Sequence, residues 1–181
     1  MAKILMINGS LRKNSFNGQV AKTIADIIGQ RAEVSFLDWS NVPVYNQDND
    51  YPAVEAVEKV RHEAQAADAL WFVTPEYNLQ IPGPLKNLTD WLSRSLDPAN
   101  PRGASAVDGK VTTVSAASAD GGTHVRAHME DLLSFIRTDV VKSEQGVAIN
   151  PEAWMTGELQ IDDATREALS RQVDALLAKI S

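Results

Sequence analysis

The stretch Lys3-Ile4-Leu5-Met6-Ile7-Asn8-Gly9-Ser10-Leu11-Arg12-Lys13-Asn14-Ser15-Phe16-Asn17 runs from an apolar segment through a polar, glycine-led turn into a helical pattern. The unbroken apolar run from Ile4 to Ile7 reads as a strand covered on both faces, as strands of parallel sheets are. Beyond the turn, Phe16, Val20, Ile24, Ile27 and Ile28 fall on one helix face, and Gly29 closes the pattern as a C-terminal cap. A strand that passes by one short turn into an amphipathic helix is the first half of a β-α-β unit.

The alternation continues along the chain. Strands are expected at residues 33–37, 69–74 and 110–115, with a weaker one at 139–141. Helices are expected at 52–67 and 84–95. A further helix carries Val125, Met129, Leu132, Leu133 and Ile136, and a last one Leu169, Val173, Leu176, Leu177 and Ile180. Right-handed crossovers between parallel strands leave few other arrangements, so the expectation is an α/β three-layer sandwich. Its five-stranded parallel sheet takes the order 2-1-3-4-5, with helices on both faces, the flavodoxin-like arrangement. No repeat or low-complexity tract interrupts it, and residues 1–181 read as one domain. Residues 97–109 read as a surface loop, and residues 144–163 carry no pattern and are assigned no structure.

Composition narrows the function. Seventeen basic against 24 acidic side chains give a net charge of -7, which repels nucleic acid and anionic membranes alike. The absence of cysteine excludes disulfides, thiolate metal sites and a cysteine nucleophile. Nothing approaches the ~20 apolar residues of a membrane span, and Ile4 to Ile7 is too short for a signal-peptide core. A soluble cytoplasmic protein is expected.

Chemistry concentrates in three turns. In the first, residues 9–17, a helix start offers unpaired N–H groups to an anion, Ser10, Ser15 and Asn17 add short donors, and Arg12 adds a charged fork suited to phosphate. Neither the G-x-x-x-x-G-K-[ST] nor the G-x-G-x-x-G pattern is present. The same letters also fit a plain helix cap by Ser15 or Asn14 with Arg12 and Lys13 solvated. In the second, Thr74-Pro75-Glu76-Tyr77-Asn78-Leu79-Gln80-Ile81-Pro82-Gly83-Pro84, three prolines stiffen a polar loop that suits a flat heterocycle, and an ordinary exposed turn is the competing reading. The third, Ser115-Ala116-Ala117-Ser118-Ala119-Asp120-Gly121-Gly122, is small enough for backbone to approach a ligand. In the order 2-1-3-4-5 these turns follow three neighbouring strands and converge beyond their carboxyl ends, at the switch point where such sheets bind ligands.

The motifs G-S-L-R-K-N-S-F-N, T-P-E-Y-N with I-P-G-P-L-K-N, and D-W-L-S-R resemble the NADPH-dependent FMN reductases, a flavodoxin-like group that includes quinone, azo-dye and chromate reductases. The resemblance runs from Lys3 to about Ile136. It implies FMN as cofactor, with its phosphate on Ser10, Arg12, Ser15 and Asn17, its ring along Pro75, Glu76, Tyr77 and Asn78, and a further contact from Ser115. It also implies NADPH, with NADH possible, as hydride donor. A small-molecule electron acceptor such as a quinone, an azo compound or free flavin follows in a ping-pong cycle, in a homodimer or dimer of dimers. Hydride transfer to flavin needs no side-chain acid or base, so no catalytic residue is assigned. Two other readings are a flavodoxin-type electron carrier acting with a partner protein and a regulatory α/β domain without flavin.

Other residues read as structural. His124 and His128 stand four apart, yet no third ligand accompanies them, so no metal is expected. Trp71 and Trp91 read as packed aromatics rather than stacking platforms. Strand one ends in Asn8 rather than an acid, which removes a phospho-receiver reading.

Overall fold

Apolar runs that need cover on both faces go to the centre of a sheet, and they do so here. The computed structural model describes residues 1–143 and 146–180. Strand β1 (Lys3–Asn8) lies between β2 (Glu33–Phe36) and β3 (Ala69–Thr74), followed by β4 (Val111–Ser118) and β5 (Asp139–Val141). The order β2-β1-β3-β4-β5 is the expected one and every pairing is parallel. A sixth, two-residue strand, β6 (Val147–Ala148), pairs with Ala117 and Ser118 beyond the end of β5. Of residues 144–163, to which the sequence pattern assigns no structure, 144 and 145 lie outside the described residues, while the remainder includes β6 and a four-residue helix, α5 (Ala153–Thr156).

Alternation along each strand divides the core in two. Ile4, Met6, Trp71 and Val73 face α1 (Phe16–Ile28) and α6 (Asp163–Ile180), packing against Val20, Ile24, Leu169 and Val173. Leu5, Ile7, Leu70 and Phe72 face the opposite way, onto α2 (Glu55–Ala66), α3 (Gly83–Leu92) and α4 (Thr123–Phe135). Trp71 and Trp91 are fully buried, and their indole N–H groups donate to Ser115 Oγ and to the Pro43 carbonyl.

Two polar clusters are buried with the apolar core. Gln172 of α6 donates to Thr113 Oγ1 at 2.7 Å and to the Val114 carbonyl at 2.9 Å, and accepts from Ser115 Oγ at 3.2 Å. On the other side Asp50 bridges Arg61 at 3.1 Å and Arg94 at 2.6 Å, pinning the segment before α2 to α2 itself and to the residues just after α3. Buried polar groups paired in this way avoid the cost of desolvation without a partner.

Strand β4 runs three residues beyond the expected end at Ser115. Pairing of Thr74 with Ala116 and of Ala117 with Val147 carries small residues of weak strand preference into the sheet. Among the described residues, no helix is long and apolar enough to cross a membrane.

Candidate functional site

The first turn is organised by the residue that ends β1. The Asn8 side chain accepts from the Ser10 N–H at 3.1 Å and donates to Ser15 Oγ at 3.1 Å. Ser15 is the N-cap of α1, and its Oγ also accepts from the Gly18 N–H at 3.0 Å. With both acceptor positions occupied, the Ser15 hydroxyl proton is left to donate outward. Among the described residues no acceptor meets the N–H groups of Phe16 and Asn17, so the start of α1 presents them with the positive end of its dipole. Gly9 is required here because a Cβ would lie 2.8 Å from Thr74 Oγ1 and from Leu85 Cδ2. The Arg12 guanidinium rests over the Phe16 ring, 4.9 Å from its centre.

Asn17 is committed to the sheet. Its amide donates to the Ala117 carbonyl at 3.1 Å and accepts from the Ala117 N–H at 2.8 Å, which clamps the start of α1 to the end of β4.

In the second turn Tyr77 and Gln80 exchange backbone bonds of 3.1 and 3.0 Å, while Asn78 and Leu79 both adopt positive φ, at 54° and 61°. That is a type I′ hairpin turn with leucine in a position glycine usually fills. It projects Tyr77 into the opening, and Glu76 reaches across to accept from the Val125 N–H of α4 at 2.8 Å. The third turn is held by Asp120, which accepts from Ser118 Oγ at 2.6 Å and from the Gly122 N–H at 3.0 Å. Those two bonds, the hydroxyl first, hold its carboxyl below the ordinary aspartate value.

Together these turns enclose a crevice of about 400 Å³ beyond the carboxyl ends of β1, β3 and β4. Seven of the nine residues expected from sequence line it: Ser10, Arg12, Ser15, Asn17, Pro75, Glu76 and Tyr77. Asn78 does not; it is exposed at the tip of the turn. Ser115 does not either, and the expectation that it ends β4 is corrected. It lies three residues short of the strand's end, fully buried, with its hydroxyl between Trp71 and Gln172. Ala117, Ser118 and Ala119 take that place. Phe16, Ile149 and Trp154 complete the lining and were not anticipated. Phe16 reads in sequence as a core residue of its helix, and Trp154 sits in the unpatterned stretch.

The volume falls in the range of small-molecule sites, roughly 300–1,000 Å³. A helix start with free N–H groups, an outward hydroxyl and an arginine suits a phosphate at one end. Backbone and aromatic walls suit a planar ring beside it, so the residues present fit FMN.

Comparison with known proteins gives this arrangement a family. The sequence profile described as NADPH-dependent FMN reductase matches residues 2–151. The chain belongs to that family. Membership in the NADPH-dependent FMN reductases makes it an enzyme with FMN as cofactor and NADPH as electron donor. It is similar to a quinone reductase of Escherichia coli (strain K12), 35% identical across 96% of this chain and 92% of the relative. A 2-hydroxy-1,4-benzoquinone reductase of a Burkholderia species is 34% identical over 93% and 86% of the two chains. Among solved structures, the flavoenzyme FerB of Paracoccus denitrificans, an NAD(P)H:(acceptor) oxidoreductase, superposes with a TM-score of 0.85. It is 28% identical, with 99% of this chain and 97% of FerB covered. A flavodoxin from the Archaea, 13% identical with a TM-score of 0.66, shares the reductase fold.

Proposed function

We propose that this FMN reductase passes electrons from NAD(P)H to quinones, azo compounds, free flavin and similar small planar oxidants, in a ping-pong cycle. The observation that carries the reading is the meeting of the α1 start, the Pro75-to-Gln80 turn and the end of β4 around one crevice. Relatives named for quinone reduction that match over more than nine-tenths of this chain support the acceptor class.

In this reading the Phe16 and Asn17 N–H groups, the Ser10 and Ser15 hydroxyls and Arg12 hold the phosphate. Asn17 also keeps the end of β4 in place. Pro75, Glu76 and Tyr77 lie along the ring, with Asn78 shaping the turn that carries Tyr77 and Ser115 supporting β4 from within. FMN, when bound, would supply the redox chemistry of hydride acceptance and transfer to the oxidant. The protein binds, orients and excludes water, and the set of catalytic side chains stays empty.

A single domain in the cytoplasm, assembled as a homodimer, completes the reading. The net charge of -7 argues against nucleic-acid and membrane partners. Exposed Leu11 and Val44, which share a shallow cavity with Gly83 and Pro84, offer an apolar face for a second copy. Light scattering tests the assembly.

The deciding experiment is steady-state oxidation of NADPH by the FMN-loaded protein with benzoquinone and no added partner protein. Turnover is expected. FMN-loaded protein that leaves NADPH unoxidised refutes the reading and favours an electron carrier.

A further inference from the structure

We propose that Trp154 sets how long FMN stays in the crevice, acting as an aromatic wall that the cofactor must clear to leave. The inference rests on the crevice being the FMN site. Trp154 is 64% exposed although it lines a cavity, and the segment that carries it is fixed without its help. Its neighbour Ala153 is fully buried. The Gln19 side chain of α1 donates to the Gly157 carbonyl at 2.8 Å and accepts from the Leu159 N–H at 2.8 Å, holding both sides of the turn that follows α5. Leu159 and Ile161 then pack on the core. A large aromatic held outward on a fixed mount keeps a face available to a ligand, at little cost in ordering when the ligand arrives.

Geometry couples this ring to the phosphate loop. Trp154 stands edge-on to Phe16, with ring centres 5.0 Å apart and planes at 89°. Phe16 in turn carries the Arg12 guanidinium over its face at 4.9 Å. Arg12, Phe16 and Trp154 therefore form one continuous side of the crevice, charged at one end and aromatic at the other. An occupant that fills the cavity covers indole surface otherwise left in water, and that contact must break before release. The benefit falls on dissociation, where differences among variants of one binding site are usually found.

The test loads wild type, Trp154→Ala and Trp154→Phe with FMN, dilutes each, and follows the rise of free-flavin fluorescence. Trp154→Ala is expected to release FMN about tenfold faster than wild type, and Trp154→Phe to stay within about threefold, because a smaller ring keeps most of the contact. Thermal midpoints of the three apoproteins are expected to coincide, since the exposed ring contributes little to the core. Equal release by wild type and Trp154→Ala, or by Trp154→Ala and Trp154→Phe, overturns the inference and leaves the FMN site standing. Wild type that takes up no FMN overturns both.

Discussion

Glu76 Oε2 accepts the backbone N–H of Val125 at 2.8 Å, joining the turn after β3 to the third residue of α4. The helix has no cap of its own, because its N-cap residue is Gly122. A carboxylate 49 positions earlier in the chain therefore does what a local serine or aspartate normally does, and it places negative charge at the positive end of the helix. The bond also fixes the distance between two walls of the crevice.

Glu76→Ala is expected to lower stability by about 1 kcal/mol, the usual cost of losing an N-cap, and to weaken FMN binding as the two walls separate. Glu76→Gln, which keeps an acceptor oxygen, loses less of both. Urea unfolding of the apoprotein and a flavin titration measure the two effects.

Arg12→Ala is expected to reduce FMN affinity by tenfold or more, in line with the ~1.5–3 kcal/mol of a hydrogen bond to a charged group. Riboflavin, which lacks the phosphate, is expected to bind both proteins alike. Equal FMN affinities in parallel fluorescence titrations remove Arg12 from the phosphate site.

Gly122→Ala is expected to destabilise the fold by roughly 2–3 kcal/mol, combining left-handed backbone strain with overpacking. Gly122 has φ of 64°, and its added Cβ would lie 2.7 Å from Ala116 Cβ and 3.0 Å from Val125 Cγ1. Chemical denaturation reads the loss directly.

Asp120 gives the third turn a pH dependence of known sign. Its carboxyl is held below its ordinary value of 3.8 by Ser118 Oγ and then by the Gly122 N–H. The stabilisation is therefore complete above 3.8, and is lost as pH falls through the lowered value of the folded state. Asp120→Asn is expected to flatten the acid limb of a stability-against-pH curve below that point while leaving its shape near neutrality unchanged.

How much of this was legible depends on how local the signal is. The apolar run of β1 and the three-and-four spacing of α1 report burial within a dozen residues, and both elements stand where the pattern puts them. The end of β4 is different. Ala116, Ala117 and Ser118 look like turn residues, and only pairing with Thr74, Val147 and Ala148 makes them strand, which is why the sequence places the strand end at Ser115 while Ala117 and Ser118 line the crevice. Trp154 was illegible for the same reason. A four-residue helix shows no periodicity, and the turn beyond it is held by Gln19 from 138 and 140 positions away. The structuring role of Asn8 was hidden as well, because its letter says only that an apolar strand has ended.

Gln172 occupies the acceptor of Val114 and the hydroxyls of Thr113 and Ser115 in the middle of the sheet. Those groups cannot be satisfied in that way until α6 has docked against the sheet. Strand β4, whose far end lines the crevice, is therefore complete only with α6 in place, and a chain stripped of that helix would leave polar groups bare behind one wall of the pocket.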